Sequence, residues 1–314
     1  MTTLTQTKTL SDCIKDFLLI AKFEGKSPET LDWYRSKLTA FTNFAEANGL
    51  PQSPTLLTKS HLLMYLDSIQ ERPRFDKRPG RISVYARKGH FATLRAFFYR
   101  LKGEGIIEES PLKGIKAPKL PKLTIPTFTA EDIRKMLEVC DSILVVFIRK
   151  RTRAMILLFL DTGVRLSELN GIKLQDIDWE RGFIAIKGKG DKERVVHFGN
   201  KAMAALNDYL SVRKSQTDRL WVSPTGGAIS KYAIERVVKR VCRKAGITGV
   251  RCSPHTFRHT FAVNFLAQGG DSLLLKELLG HETLLMTEHY TRHLRGQLAL
   301  QAHKRFSPAD AMVQ

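Results

Sequence analysis

The sequence predicts a mainly helical α+β protein with one small antiparallel sheet, arranged in two domains. Most of the 314-residue chain places apolar residues at helical spacing. One Gly-rich turn, in FIAIKGKGDKERVVHF, joins two alternating segments and predicts a β-hairpin with strands Phe183–Lys187 and Glu193–Phe198. A Pro- and Lys-rich stretch without periodicity, residues 108–128, predicts a linker. We therefore expect an N-terminal helical domain over residues 1–107 and a second domain over residues 129–314.

The first domain is predicted to contain four helices. Two lie within residues 9–48, and the second of these opens on Ser27 as N-cap with Pro28 at the first helical position. The third helix is expected from Ser60 to Gln70 and the fourth from Ser83 to Lys102. Because hydrophobic residues make up 43% of the chain, both domains can build substantial cores.

The second domain is predicted to begin on a capping signature at Thr129. A helix over Ala130–Asp141 and an apolar helix over Thr152–Asp161 precede the hairpin, and Leu220–Ser223 is a candidate edge strand. Everything after Ser230 is expected to be helical. The breaks between these last helices are expected at small or glycine residues, namely Ala245–Gly246, Gly269–Gly270 and Gly280.

The stretch LLGHETLLMTEHYTRH contains a histidine and a tyrosine that one straight helix would separate. His281 and Tyr290 are nine residues apart, which places them on opposite faces of an unbroken helix. Gly280 is a natural helix stop, and Thr283 could cap a new helix. The sequence therefore permits a bend that brings His281 and Tyr290 to one place.

The charge of the chain predicts a polyanionic partner. There are 51 Lys and Arg residues against 31 Asp and Glu residues, a formal net charge of +20. Nucleic acid is the first expectation and an anionic membrane surface the second. No run of about eighteen apolar residues exists, and the N-terminus lacks the apolar core of a signal peptide. We expect a protein of the cytoplasm, associated with the nucleoid.

Two strongly basic segments are the candidate nucleic-acid contacts, although solvated basic faces would have the same pattern. Residues 71–102 contain ten Lys or Arg residues and two acidic residues. Residues 229–260 contain eight Lys or Arg residues and one acidic residue. The candidate contact residues are Arg74, Arg81, Arg87 and Lys88 in the first segment, and Lys231, Arg236, Lys239, Arg240 and Arg243 in the second.

The sequence predicts neither a metal site nor a cofactor. None of the four cysteines forms a CxxC pair, and no histidine stands at zinc-finger spacing from them. There is also no HExxH, no clustered DxD and no Walker loop. Unpaired thiols in a reducing compartment are expected.

Three clusters in the second domain carry polar groups that a structural helix would not need. They are TGVRLSEL with Arg165, SPHTFRHTFA with His255 and Arg258, and the stretch with His281 and Tyr290. His255 and Arg258 share a helix face near a helix start, and both are expected to face outward as an anion site. Each residue alone would be read as a surface arginine, a capping histidine or a half-buried tyrosine.

Together these clusters suit phosphate chemistry. Two arginine forks can hold both non-bridging oxygens of a phosphate, and a histidine adds a further donor. A tyrosine hydroxyl can then attack the phosphorus and form a covalent phosphotyrosine. Such a reaction needs no metal where fixed cations neutralise the charge that develops.

These residues, in this order, resemble the active site of the tyrosine recombinases, the family of site-specific integrases and Xer-type resolvases. The matching positions are Arg165, Lys189, His255, Arg258, His281 and Tyr290. Their spacing also matches, with 24 residues from the first to the second, 23 from the fourth to the fifth and nine from the fifth to the last. The resemblance covers the second domain in detail. It extends more loosely over the first, which is similar to the family's helical, SAM-like core-binding domain, and implies a C-shaped clamp on DNA.

The resemblance implies a role for each matching residue. Tyr290 would attack the scissile phosphate and leave a 3′-phosphotyrosine and a free 5′-hydroxyl. Arg165 and Arg258 would clamp the phosphate oxygens, and His281 would donate to the same phosphate. A 5′-hydroxyl from a different strand would then reverse the reaction, so that no ATP is needed.

Two further roles concern protons. Lys189 would protonate the leaving 5′-oxygen, although Lys187 and Lys192 are close rivals in the same turn. His255 would assist proton transfer on the nucleophile side. The resemblance assigns no role to His259, which is interpreted as a surface or supporting residue.

The resemblance also implies partners. They are double-stranded DNA with paired inverted-repeat core sites, and further copies of the chain in a homo-tetramer on two DNA sites, which passes through a Holliday junction. The C-terminal tail, about residues 291–314, would dock on a neighbouring protomer through Leu294, Leu298 and Phe306. Whether an accessory protein is needed stays open.

The expected biological role is the integration and excision of a mobile element. The first alternative is an Xer-type resolvase of chromosome or plasmid dimers, which uses the same active site. The others are a type IB topoisomerase, which shares the tyrosine chemistry, and a DNA-binding protein that no longer cuts. The intact set of six residues argues against the last.

Overall fold

The computed structural model describes residues 8–73, 80–121, 126–188 and 193–291. These residues form a mainly helical protein with one three-stranded antiparallel sheet, which confirms the predicted fold class. Within the described part of the chain, no helix is both long enough and apolar enough to cross a membrane.

The chain divides into two compact units, Met1–Lys122 and Leu123–Gln314. The division falls within residues 108–128, the segment predicted as a linker. Parts of that segment nevertheless pack into each unit, because Leu112 is buried in the core of the first and Phe128 in the core of the second.

The N-terminal unit contains the four predicted helices. Their bounds are α1 Leu10–Phe23, α2 Pro28–Ala47, α3 Lys59–Ser68 and α4 Val84–Gly103, with a short 3-10 helix at Pro54–Leu56. Ser27 caps α2 as predicted, because its hydroxyl accepts a hydrogen bond from the backbone N–H of Thr30 at 3.3 Å. Aromatic residues of different helices meet edge to face in the core, as Phe17 does with Phe97 and Phe41 with Tyr65.

The second unit contains eight further helices and the sheet within its described residues. The helices are α5 Ala130–Asp141, α6 Val146–Thr162, α7 Leu166–Gly171, α8 Asn200–Leu210, α9 Lys231–Lys244, α10 Pro254–Ala267, α11 Ser272–Leu279 and α12 Leu284–Thr291. The strands are β1 Ile177–Asp178, β2 Phe183–Lys187 and β3 Glu193–His197. The predicted hairpin is therefore present, with Ile184 paired to Val196 and Lys187 to Glu193.

Helix α6 begins six residues earlier than predicted, at Val146 rather than Thr152. The basic run Arg149–Arg151 interrupts the apolar pattern that the prediction relied on. Arg151 is nevertheless buried inside the unit, where it donates to the backbone carbonyl of Val222. A buried arginine with a backbone partner continues the helix through a segment where the hydrophobic pattern is interrupted.

The predicted edge strand at Leu220–Ser223 is wrong. Only an isolated bridge between Val222 and Ala228 forms there, and Trp221 instead stacks on Tyr209 at an interplanar angle of 17°. The third strand of the sheet is β1, which pairs with β2. Tyr209 belongs to α8, a helix that the sequence analysis did not predict.

Candidate active site

The chain bends after α11, as the sequence permits. Gly280 adopts a left-handed conformation, with φ of 62°. Its N–H donates to the carbonyl of Glu277 and the N–H of His281 donates to that of Lys276, both at 3.0 Å. This is the Schellman arrangement that closes a helix end. Helix α12 starts four residues later. It brings the ring of Tyr290 parallel to that of His281, with the ring centroids 5.9 Å apart and an interplanar angle of 10°.

The end of α11 gathers three arginines. Three consecutive backbone carbonyls accept from a different guanidinium each: Leu278 from Arg194 at 2.9 Å, Leu279 from Arg258 at 2.7 Å and Gly280 from Arg165 at 3.1 Å. The last carbonyls of a helix have no partner within it, and the helix dipole makes this end negative. The helix end therefore holds three cations side by side. We call Arg165, Arg194 and Arg258 the arginine cluster.

Glu168 provides the only carboxylate bonded to the arginine cluster among the described residues. It accepts from the backbone N–H and from Nη1 of Arg165, both at 2.7 Å. It also accepts two bonds from Arg194, at 2.9 and 2.8 Å. Although burial opposes the charge, the bonds from Arg194 and Arg165 hold the pKa of Glu168 at about 2. Glu168 is therefore ionised at neutral pH and joins two of the three guanidiniums.

The sequence analysis missed both Glu168 and Arg194. A signal existed for Glu168, since a glutamate three residues after Arg165 at a helix start has the spacing of a capping box. No local signal marks Arg194, because its partners are 26 and 84 residues away in the chain.

Arg258 does not face outward as predicted. It is only 2% exposed, and its Nη1 donates to the carbonyl of Gly163 at 2.9 Å. His255, one turn earlier on α10, is exposed. Burial, and then the charge of Arg165, lowers the pKa of Arg258 to about 10, so the guanidinium stays charged at neutral pH. Arg258 therefore lies deeper than His255, because its guanidinium donates to two backbone carbonyls in the interior.

Tyr290 is 4% exposed and packs against Leu275 and Leu279 in a small apolar cluster between α10, α11 and α12. Burial raises the pKa of its hydroxyl, while the nearby charge of Arg258 acts in the opposite direction. The tyrosine is therefore neutral at physiological pH and lies beside a fixed cation.

A row of rings connects the start of α10 with Tyr290. The ring of His259 lies 4.3 Å from that of His255 and 5.1 Å from that of Tyr290. Although His255 is exposed as a residue, its ring is partly shielded from water by its neighbours, and this shielding, followed by the charge of Arg258, lowers its pKa. His259 was given no role from the sequence, yet it stands between a titratable side chain and the tyrosine. Its distance of four residues from His255 places both on one helix face.

His281 has a direct partner on the next helix. Its Nδ1 lies 2.8 Å from Oγ1 of Thr287, which is fully buried on α12. Burial, and then the charges of Arg258 and Arg165, lowers the pKa of His281 to about 4. The imidazole is therefore neutral at physiological pH.

Several predicted site residues lie outside the described residues. They are Lys189 with its rival Lys192, the DNA-contact candidate Arg74, and the tail residues Leu294, Leu298 and Phe306. The rival Lys187 is at the end of β2, where it forms an ion pair with Glu193 at 3.4 Å.

The basic helix α9 has one apolar and one charged face. Ile234, Val238 and Val241 are buried, and the exposed candidates of the opposite face are Arg236, Lys239, Arg240 and Arg243. Lys231 is half-buried. Lys239 is paired with Glu235 at 2.7 Å. The helix therefore presents a continuous basic surface to solvent, as a helix lying against DNA requires.

The candidate DNA-contact residues of the N-terminal unit are less concentrated than those of α9. Arg81 pairs with Glu71 at 2.6 Å, and Arg87 donates to Gln70 at 2.8 Å. Lys88 is exposed on α4.

As for metals, no three His, Cys, Asp or Glu side chains come together as ligands anywhere in the described ranges.

Comparisons with known proteins identify the family of the chain. The model of the phage integrase family matches residues 126–296. The chain is similar to tyrosine recombinase XerC of Oceanobacillus iheyensis, at 34% identity over 307 residues that cover 94% of this chain and 95% of the relative.

Two solved structures have a similar fold. The XerH site-specific recombinase bound to palindromic difH substrate has a TM-score of 0.72 at 23% identity, covering 96% of this chain and 86% of that one. A lambda integrase tetramer bound to a Holliday junction has a TM-score of 0.68 at 20% identity, covering 88% of this chain and 78% of that one. With the family match over more than half of the chain, these findings confirm the resemblance seen in the sequence: the chain belongs to the phage integrase family and is a site-specific DNA recombinase of the tyrosine type.

Proposed function

We propose that Tyr290 is the nucleophile with which this recombinase cuts DNA. In the first step the tyrosine oxygen forms a bond to the scissile phosphorus and the bond from phosphorus to the 5′-oxygen breaks. The phenolic proton leaves the tyrosine, and a proton reaches the departing 5′-hydroxyl. The observation that carries the proposal is the position of Tyr290, whose ring is parallel to that of His281 and whose hydroxyl lies close enough to Arg258 to feel its charge.

The arginine cluster would bind the phosphate in the roles predicted for Arg165 and Arg258. Each guanidinium has five N–H donors, and the two bonds of each that we have described leave others available. Because these donors are already held in place, they need little reorganisation as charge builds on the phosphate. His281 would add a further hydrogen bond from its imidazole.

The proton transfers complete the proposal. Lys189 would supply the proton to the leaving 5′-oxygen. His255 would assist on the nucleophile side, where His259 lies between it and Tyr290. In the second step a 5′-hydroxyl of another strand attacks the phosphotyrosine, and the tyrosine leaves. One phosphate ester bond forms for each one that breaks, so the reaction consumes no ATP.

A nicked suicide substrate tests the nucleophile. Wild type, Tyr290→Phe and the exposed-residue control Tyr99→Phe would be incubated with such duplexes in the presence of a chelator. We expect a covalent protein–DNA band on a denaturing gel for wild type and Tyr99→Phe, and none for Tyr290→Phe. A band in Tyr290→Phe, or none in wild type on DNA that it binds, would overturn the proposal.

We also propose the assembly predicted from the sequence, a homo-tetramer that pairs two inverted-repeat core sites on double-stranded DNA in the cytoplasm. The basic surface of α9 supports DNA contact, and the lambda integrase tetramer on a Holliday junction has the same fold. The tail from about residue 291 would join neighbouring protomers.

The biological role has two candidates. Integration and excision of a mobile element is the role predicted from the sequence. A specific observation favours the alternative, an Xer-type dimer resolvase, because the XerC relative aligns along nearly the whole of both chains. Suicide substrates taken from DNA flanking the gene distinguish the two, since a mobile-element enzyme cuts there and a dimer resolvase cuts at a site elsewhere in the replicon.

A further inference from the structure

The hydroxyl of Thr287 occupies a position from which it can control the chemistry of His281. It is fully buried on α12, six residues after His281 and three before Tyr290. Its Oγ1 lies 2.8 Å from Nδ1 of the imidazole, within hydrogen-bond distance. The described side-chain hydrogen bond of this hydroxyl is with the histidine, so we expect its effect on the reaction to pass through His281.

A neutral imidazole has one N–H and one lone pair. Burial and three nearby arginines keep His281 neutral at physiological pH. If Nδ1 holds the proton, the nitrogen turned away from Thr287 has only a lone pair and repels a phosphate oxygen. If Nε2 holds it, that nitrogen donates a hydrogen bond to the oxygen. The location of one proton therefore decides whether His281 attracts or repels the phosphate.

A threonine hydroxyl can either donate or accept, so both arrangements are compatible with the distance. We propose that Thr287 is a positioning residue that donates its hydroxyl hydrogen to Nδ1 of His281 and thereby holds the imidazole proton on Nε2. This inference deepens the proposed function and rests on it, because it assumes that His281 faces the DNA phosphate during cleavage.

The placement of Thr287 also links two parts of the site. Thr287 and Tyr290 are three residues apart on α12 and therefore lie on one side of the same helix. The His281 ring is parallel to the Tyr290 ring, so α12 contacts the histidine through both residues. One helix therefore supplies the nucleophile and orients the proton of its neighbour.

Replacing the hydroxyl tests this idea. Thr287→Val keeps the shape of the side chain but cannot donate, and we expect covalent complex to form about tenfold more slowly, which corresponds to one lost hydrogen bond. Thr287→Ser keeps the donor and is expected within about twofold of wild type. The matched control is Thr152→Val, which removes a buried hydroxyl that has no hydrogen-bond partner within the described structure. Wild-type speed in Thr287→Val would overturn the proposal.

A double-mutant cycle separates positioning from a purely structural effect. If Thr287 acts through His281, Thr287→Val causes no further loss when His281 is already alanine. If Thr287 only supported the fold, Thr287→Val would instead slow His281→Ala by about the same tenfold factor as it slows wild type. That second result would overturn the proposal.

The proton can also be located directly, without any substitution of Thr287. In protein carrying ¹⁵N-labelled histidine, the His281 signals are those absent from His281→Gln, and their shifts report which nitrogen is protonated. We expect the proton on Nε2 in wild type, and a proton on Nδ1 would overturn the proposal. This measurement needs no DNA, so it still decides the question if wild type fails to form a covalent complex and the proposed function itself is wrong.

Discussion

Glu168 offsets part of the charge of the arginine cluster. Its side chain is 4% exposed and accepts bonds from both Arg165 and Arg194. Without DNA, this one carboxylate and the carbonyls at the end of α11 hold three cations together. A phosphate that enters the site therefore meets guanidiniums whose positions are already set.

Glu168→Gln is expected to damage both stability and cleavage. The amide cannot accept two bidentate partners, and its NH₂ group faces cations. Loss of one member of a buried charged group costs about 3 kcal/mol of unfolding free energy, and the misplaced Arg165 lowers the rate of covalent-complex formation at least about tenfold. Urea unfolding and the suicide substrate measure the two effects. Equal stability in Glu168→Gln and in the exposed control Glu180→Gln would contradict this account.

The acid dependence of the same variant has a defined sign. The folded pKa of Glu168 is about 2 and its ordinary value is 4.5. Its stabilising contribution is therefore complete above about pH 4.5 and is lost as the pH falls toward 2. Glu168→Gln is expected to lack this part of the acid-induced destabilisation.

The residues predicted from the sequence are those with a local motif. Arg165, Arg258, His281 and Tyr290 do come together, as the spacing of the clusters suggested. The supporting residues Glu168, Arg194 and Thr287 were not predicted. Glu168 was missed although its capping-box spacing from Arg165 is a local signal, whereas the partners of Arg194 are brought near only by the fold. Arg194, for example, reaches Leu278 across 84 residues of sequence.

At the scale of elements, the end of α11 is the part on which the site is built. Gly280 is needed there for two reasons. Its φ of +62° is unfavourable for any residue with a Cβ, and an added Cβ would lie 3.0 Å from Cδ of Arg194. The backbone turn and the arginine cluster therefore depend on the same missing side chain.

Gly280→Ala is expected to lose more stability than its backbone conformation alone explains. The matched control is Gly269→Ala at the end of α10, where φ is +89° and nothing lies within 4 Å of an added Cβ. The control is expected to lose about 1–2 kcal/mol of stability and to keep its cleavage rate. Gly280→Ala is expected to lose more stability and to cleave about tenfold more slowly or worse. Thermal unfolding and the suicide substrate compare them, and equal losses in the two variants would refute the clash with Arg194.

Helix α2 and the hairpin were predicted well, whereas α6 begins earlier than predicted and α8 was not predicted. The start of α2 at Pro28 and the hairpin of β2 and β3 follow from local turn and capping chemistry. Helix α8 has no side-chain hydrogen bond at its N-cap, Gly199, and α6 has none at Val145. These two helices depend on burial against distant elements, which a local pattern does not contain.

At the scale of the whole molecule, each unit has its own core and its own buried histidine. In the N-terminal unit, His90 is 1% exposed and its Nδ1 lies 2.8 Å from the hydroxyl of Tyr65. Burial, and then the charges of Lys37 and Arg72, lowers the pKa of His90 to about 4. The unit therefore folds with a neutral imidazole that the unfolded chain would protonate in mild acid.

The N-terminal unit is expected to weaken below about pH 6.5. The folded pKa is lower than the unfolded value, so stability falls as the pH drops from about 6.5 toward 4, by about 2 kcal/mol at pH 5. His90→Gln is expected to lose this dependence, while His61→Gln, at the half-buried cap of α3, keeps it. Hydrogen exchange of the α3 and α4 amides, corrected for intrinsic rates, measures the change. The same pH dependence in His90→Gln as in wild type would contradict the assignment.

The convergence of three guanidiniums on the last carbonyls of α11 also determines how ionic strength acts on the enzyme. Mobile salt ions screen the exposed basic face of α9 within a Debye length of about 10 Å at 0.1 M salt. The partners of Arg258 are backbone dipoles in a buried setting, which salt ions neither reach nor replace. Rising salt is therefore expected to weaken the capture of DNA, while bond breaking on DNA that is already held is expected to proceed at nearly the same rate.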